Sequence, residues 1–441
     1  MAPATHADKR EQAGLVVHRF PAEHHPVKAH IVGAGLAGLA AAVELAQSGW
    51  AVELADSAAR AGGRCRSYVD PQLGQMIDNG NHFVFSGNQA VNRFVTRLGT
   101  QARLEGPAHA DFAFHDLGDG GRWVLRVNDA MLPWWVFVPG RRAPETRMRD
   151  YLSLARLVLA RRGQTIGDVI APGGRFWERM VDPMMLAVLN CAPAQGSAWL
   201  AGRFLLESFA RGGRACRPMV AMPTLDAVFI DPALALLGQH GVAPRFGRRL
   251  RRMNFDAGRV SALDFGDGPE MVGDDAVVIL AVPPWIAADL VPGLAVPDRF
   301  CSILNAHFAC LPPPGAPPIT ALIGGTAQWV VCHGDRISVT ISGADEVIDH
   351  DREGLARRIW ADIGATLGPS GPMPRWQIVK EKRATFAATP EQDAKRPGTA
   401  TRWRNLFLAG DWTQTRLPAT IEGALRSGEA AARLARRAGR V

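Results

Sequence analysis

The chain has 441 residues, 47 % hydrophobic and 21 % charged, with a formal net charge of +8. This composition excludes a disordered or fibrous chain and supplies apolar material for one large or two ordinary domains. No run reaches the ~18–20 consecutive apolar residues that span a bilayer, and six scattered cysteines without a CxxC pair suit a reduced, cytoplasmic chain better than a disulfide or zinc framework.

Residues 1–27 read as a flexible leader without the apolar core or cleavage site of a signal peptide. His18, His24 and His25 in it read as polar surface, and no metal site is expected. From Lys28 the pattern sharpens. Lys28 to Val32 reads as a strand, Leu39 to Gln47 as a helix and Ala51 to Ala55 as a second strand. Residues 89–225 carry long helical patterns, such as Tyr151 to Arg162 and Arg175 to Leu189. Residues 226–286 return to α/β character, with a helix at Asp231 to Gly241 and an apolar strand at Ala276 to Val282. Strands are expected at Ala327–Val331, Arg336–Ile341 and Leu406–Ala409, and a terminal helix from Thr420 to Ala438. The fold class is therefore α/β, a Rossmann-like nucleotide domain built from residues 28–88, 226–286 and 401–441. Residues 89–225 and 287–400 form an inserted α+β substrate-binding domain.

Three motifs carry the nucleotide reading. Gly33-Ala34-Gly35-Leu36-Ala37-Gly38 follows a strand and opens a helix. Gly33 permits the tight turn, Gly35 lets backbone approach a pyrophosphate, and Gly38 lets the helix pack closely. The helix N-terminus offers amides and positive potential to phosphates. Asp56, at the end of the second strand, is placed to accept ribose hydroxyls and to repel a 2′-phosphate. Gly62-Gly63-Arg64 follows, with Arg64 a charge-assisted donor for a diphosphate, which favours FAD over NAD. Near the end, Gly410-Asp411 offers a carboxylate to ribityl hydroxyls. Pro418 precedes a helix start where Thr420 and Ile421 can present amides to the flavin N1–C2=O edge.

Together these motifs resemble the FAD-dependent amine oxidase and phytoene desaturase superfamily, over nearly the whole chain from Ala29. Ile77-Asp78-Asn79-Gly80-Asn81-His82, Ser86-Gly87-Asn88, Pro133-Trp134-Trp135 and Leu189-Asn190-Cys191-Ala192-Pro193 are similar to the hydroxysqualene dehydroxylases of hopanoid-producing bacteria. So is the ending from Gly410 to Gly423. The resemblance implies a glutathione-reductase-type fold, bound FAD, and reduction of hydroxysqualene to squalene and water by hydride from flavin N5. It implies a long apolar pocket, an acid for the departing hydroxyl and exclusion of water. It also places the segment from Gly80 to His82 near the flavin.

His82 and Asp78 are the candidate acids, His82 first because its unperturbed pKa is ~6.5. Its other reading is a hydrogen-bonded histidine that holds the loop. Asn79, Asn81 and Glu422 are further polar candidates. Only Tyr68 and Tyr151 are available for the tyrosine-rich cage of amine oxidases, although Trp412 offers one wall. A carotenoid desaturase and a flavin-binding scaffold without turnover remain alternatives. No second GxGxxG lies between Asn88 and Phe407, so electrons are expected from outside, a separate reductase being one source.

The arginine doublets Arg141–Arg142, Arg161–Arg162 and Arg251–Arg252 read as solvated surface or as attraction to an anionic membrane. With no nucleic-acid-binding motif, nucleic acid is not an expected partner. Met131 to Pro139, followed by Arg141, Arg142 and Arg147, reads as an interfacial anchor or as pocket and core lining. The expected location is cytoplasmic, peripheral on the inner face of the membrane, with a long-chain isoprenoid as substrate.

Overall fold

The computed structural model describes residues 27–439. All but the last residue of the expected leader, with His18, His24 and His25, lie outside them. No described helix is long and apolar enough to cross a membrane.

One layer is a parallel sheet of four strands in the order Leu406–Leu408, Val277–Leu280, Lys28–Val32, Ala51–Ala55. The strands Lys28–Val32, Val277–Leu280 and Leu406–Leu408 are short and buried along most of their length, as strands of sheets covered on both faces are. The chain leaves Lys28–Val32 for Ala51–Ala55 on one side, while Val277–Leu280 flanks it on the other. The carboxyl ends of Val32 and Leu280 thus meet at a switch point, where open α/β sheets bind ligands. Helix Leu36–Gln47 packs on this sheet, and helix Ile421–Ala438 crosses it at Gly428. A Cβ there would lie 2.2 Å from the Ala37 carbonyl oxygen, so the helices meet backbone to backbone.

The second layer is a seven-stranded mixed sheet. Its order is Trp376–Phe386, Phe300–Phe308, Ile337–Ser342, Trp329–Cys332, Ile319–Ile323, Ala110–Asp116, Arg122–Val127. Alternate residues point to opposite faces. Leu304, Ala306, Val339 and Ile341 join a core with Leu355, Ile359 and Ile363 of helix Arg352–Leu367. Ile303, Asn305, Thr340 and Ser342, their neighbours in sequence, face a cavity.

Two sequence expectations change. The hairpin Ala110–Asp116 with Arg122–Val127 lies inside the segment read as helical; Phe112, Phe114, Trp123 and Leu125 alternate inward at period two. Helix Gln89–Leu98, assigned to the substrate domain, buries Ala90, Val91, Phe94 and Val95 in the core of the nucleotide layer. The domain boundary therefore falls after it.

The helix crossing can be tested with two glycines. Gly428→Ala should lower the unfolding midpoint, by about 1–3 kcal/mol of overpacking, and release flavin. Gly364→Ala, mid-helix with no atom within 4 Å of the new Cβ, should raise stability by up to about 1 kcal/mol. Equal effects of the two in chemical denaturation would remove the crossing as a constraint.

Candidate active site

A cavity of about 890 Å³ lies between the two layers. One end is polar and made of backbone. Val32, Gly33, Gly35, Leu36 and Ala37 line it, with Asp56, Gly62, Gly63 and Arg64 beside them. Gly33 has φ +108, and a Cβ there would stand 2.3 Å from the Ala281 oxygen across the switch point. Gly38 does not line the cavity; its Cβ would strike the Gly33 oxygen at 1.8 Å. Gly35 differs, with ordinary φ of −75 and no atom within 4 Å of a Cβ position. Only this glycine leaves open space, at the N-cap of a helix that no side chain caps. That is the fit an FAD diphosphate requires.

Asp56 faces this end, but its oxygens accept from the amides of Ala34 at 2.6 Å and Ala58 at 2.7 Å. It therefore fixes the glycine turn and retains lone pairs for a ribose. Arg64 bonds Asp411 Oδ1 at 2.6 Å and donates to the Ala384 carbonyl. Arg64 also lines the cavity and here acts as a clasp. It ties the second motif to the third, 347 positions away in sequence. Gly410, Asp411, Pro418, Thr420 and Ile421 all line the same cavity. Thr420 Oγ1 caps its helix by accepting from Gly423 N at 3.0 Å. The bare Gly410 lets the Trp412 indole lie against it and donate to the Val282 carbonyl at 2.9 Å.

The loop after the second motif is stitched to the seven-stranded sheet. Asn305 and Thr340 pair across neighbouring strands, with Thr340 Oγ1 donating to Asn305 Oδ1 at 2.8 Å. Asn81 Nδ2 donates to Thr340 Oγ1 at 3.1 Å, and its amide to Asn305 Oδ1 at 3.2 Å. Gly80 is needed because a Cβ would stand 2.9 Å from Asn305 Nδ2. Asn79, Gly80, Asn81 and His82 therefore front the cavity.

Asp78 does not line it. Its carboxylate accepts from Ser67 Oγ at 2.6 Å and Leu225 N at 3.0 Å, and burial raises its pKa. His82 faces two ways. One edge meets the large cavity, and another meets a small one with room for about one water, shared with Asp78, Asn81 and His333. Burial, helped by the Arg64 charge, pushes His82 down to about 4. The imidazole is therefore mostly neutral at pH 7, its proton affinity below the unperturbed value. His333 is buried with both ring nitrogens lacking protein partners, and Asn81 Oδ1 likewise. Glu422 also lines the cavity, with its carboxylate engaged. It accepts from the amides of Ala90 and Val91 at 3.1 and 3.0 Å and from Arg426, so it caps helix Gln89–Leu98.

The other end of the cavity is apolar. Phe83, Phe85, Phe112, Phe204, Phe209 and Trp329 stand in its wall, backed by Met184, Val188, Ile303 and Ile319. Two polar residues to which the sequence reading gives no role in the site help to shape it. Arg396, its side chain fully buried, pairs with Asp393 at 3.0 Å and donates to the carbonyls of Asp411 and Thr413, holding the last motif. Asn190, at φ +53, accepts from Gly343 N at 2.7 Å and donates to Thr385 Oγ1 at 2.9 Å, tying the helical wall to the sheet. All six cysteines are free, and burial pushes the cavity-lining Cys65 up to about 12, which leaves it an inert thiol. No cluster able to hold a metal occurs among the described residues.

The glycine loop yields a clean contrast. Gly35→Asp should fold with stability within about 0.5 kcal/mol of wild type yet lose flavin at least tenfold, measured as flavin absorbance per protein. Gly33→Ala should fail to fold stably. Retention of flavin by Gly35→Asp would show that the diphosphate lies elsewhere.

A family model described as "Flavin containing amine oxidoreductase" matches residues 36–435. The chain is 49 % identical to the hydroxysqualene dehydroxylase of Rhodopseudomonas palustris, over 93 % of this chain and 99 % of that one. A zeta-carotene desaturase of Synechocystis is 23 % identical over 91 % of this chain and 96 % of its own. Cyclohexylamine oxidase from Brevibacterium oxydans shares the fold, with a TM-score of 0.68 at 15 % identity, covering 94 % of this chain and 99 % of that one. The chain therefore belongs to the flavin-containing amine oxidoreductase family, as an FAD-dependent oxidoreductase in the group of the hydroxysqualene dehydroxylases.

Proposed function

We propose that the protein uses reduced FAD to replace the hydroxyl group of hydroxysqualene by hydrogen, releasing squalene and water. The observation that carries this reading is one continuous cavity. Its glycine-lined end fits a dinucleotide, and its opposite end is walled by phenylalanine and aliphatic side chains. Residues around Gly35, Asp56, Asp411 and Thr420 would hold FAD, which supplies a hydride when bound and reduced. At the substrate a C–O bond breaks and a C–H bond forms, and the hydroxyl needs one proton to leave as water. The apolar wall holds the hydrocarbon chain and keeps bulk water from the allylic carbon.

The proton is assigned to His82, whose ring fronts the cavity on one side and the small cavity containing Asp78 on the other. Asp78 acts behind it as a positioning and resupplying group rather than as a direct acid. Amine oxidation fits less well, since neither Tyr68 nor Tyr151 lines the cavity. A desaturase would share the flavin end, but the identity to the dehydroxylase is far higher. One glycine-rich nucleotide loop serves one cofactor, so a separate reductase is proposed as electron donor. The free thiols support a reducing cytoplasmic location.

Anaerobic mixing of the dithionite-reduced protein with hydroxysqualene should give squalene as the flavin reoxidises. Flavin that stays reduced over unchanged substrate would reject the activity, and phytoene-type polyenes with oxidised protein would be tested next. The pH dependence follows from His82. An acid near 4 must be protonated to act, and its protonated fraction drops tenfold for each pH unit above that value. We expect kcat/KM to rise as pH is lowered from about 8 to about 5, toward the His82 pKa. In His82→Gln it should be about 100-fold lower and flat over that window. Full activity with an unchanged profile in His82→Gln would remove it as the acid.

A further inference from the structure

Twelve large apolar side chains are exposed among the described residues, and eight of them lie between Met131 and Leu159. Phe137 is 59 % exposed, Leu152 65 % and Leu159 81 %. The segment is nonetheless firmly built. Asn128 donates to the carbonyls of Ala130 and Leu132 and accepts from Trp135 N at 3.1 Å. The Tyr151 hydroxyl accepts from Ala143 N at 3.0 Å, and its ring meets Trp135 edge-on at 5.2 Å. Trp135, Ala143, Tyr151 and Leu157 thus point inward. Of the two tryptophans in the sequence motif, Trp135 belongs to the core, while Trp134 and Phe137 face outward.

The outward face is patterned. Met148, Leu152 and Leu159 are spaced by four and seven residues, which puts them on one stripe of helix Met148–Val158 and its cap. Arg149 and Arg156, seven apart, run beside that stripe. Residues 131–162 hold seven arginines against Glu145 and Asp150 alone. Arg141, Arg142, Arg147, Arg149 and Arg156 have no carboxylate partner among the described residues; Arg141 lies instead over the Trp134 ring at 4.6 Å. A patch of this kind on a folded protein marks an interaction surface. A second copy is a poor occupant, because a two-fold contact would set one arginine rim against the same rim. A lipid surface with anionic headgroups satisfies both the apolar centre and the cationic rim.

The face also adjoins the cavity. Gly212 and Gly213 press on Asp129 and on the Val127 carbonyl so closely that a Cβ at either would come within 3 Å. They follow Glu207, Ser208 and Phe209, which line the cavity wall. We propose that the face spanning residues 131–159 docks on an anionic bilayer and sets the apolar end of the cavity against the lipid that holds the substrate. The delivery half of this proposal rests on the isoprenoid reading above; the docking half does not.

The test uses the full-length, flavin-loaded chain and co-sedimentation with vesicles of phosphatidylcholine, alone or mixed with phosphatidylglycerol. Binding should be at least tenfold tighter to the mixed vesicles and should weaken as salt is raised. Leu152→Asp and Phe137→Asp, both at exposed positions, should keep their flavin and lose at least tenfold in binding. They should keep turnover of detergent-dispersed hydroxysqualene and lose it with vesicle-borne substrate. Absence of wild-type binding overturns docking, as does binding unchanged in both variants. A dimer that Leu152→Asp dissociates, without vesicle binding, assigns the face to a second copy and also overturns it. Vesicle binding together with no turnover in detergent leaves docking intact and rejects the activity instead.

Discussion

The site depends on three places where backbone touches backbone because no Cβ intervenes. Gly33 abuts Ala281, Gly38 abuts Gly33, and Gly428 abuts Ala37. These contacts seat the start of helix Leu36–Gln47 at the switch point of the parallel sheet, between the carboxyl ends of Val32 and Leu280. A diphosphate there would be held by amides and helix potential, which act only over the first turn. Side-chain packing at those contacts would push the helix start out of line. Gly35 is different in kind, since nothing in the fold occupies the space its Cβ would take.

From this anchor the rest of the site is assembled by polar ties that cross the sequence. Arg64 joins the second motif to the third, Asn81 joins the flavin-side loop to the seven-stranded sheet, and Arg396 holds the Asp411 loop from behind. Arg396 is a buried charge, and burial depresses its pKa, but Asp393 and the carbonyls around it satisfy its donors. Removing one partner of such a group typically costs more than the pair contributes. The large sheet then does two jobs through period-two alternation. One face completes a core with helix Arg352–Leu367, and the other lines the cavity with apolar groups plus the Asn305–Thr340 pair.

What the sequence made legible was local. The strand, turn and helix from Lys28 to Ala55 depend on neighbours in the chain, and all three formed as read, the helix starting three residues earlier. The gathering of Gly33, Arg64, His82, Asp411 and Thr420 around one cavity followed from motifs that each need the same ligand. Contacts between distant segments were not legible. The Phe112, Phe114, Trp123 and Leu125 alternation is short and lies among helical patterns that mask it. Glu422 looked like a free carboxylate until Ala90 and Val91 were brought to it by the fold. Nothing near Arg396 in sequence marks it as the residue that holds the Asp411 loop. Trp134 and Trp135 are adjacent and identical in type, yet the Asn128 hydrogen bond turns one inward and leaves the other outside.

Supplying a proton is the harder half of a dehydroxylation in such a cavity. Walls that hold a hydrocarbon also exclude the water that would otherwise deliver protons. Burial acts in opposite senses on the two groups nearest the problem, lowering His82 to about 4 and raising Asp78. Their proton affinities are thereby drawn together, which favours transfer between groups that share a space wide enough for about one water. Of the two, His82 is the one that also lines the large cavity. Ser67 and Leu225 fix Asp78 from behind, and the Asn305–Thr340 pair fixes the loop carrying His82 from the side.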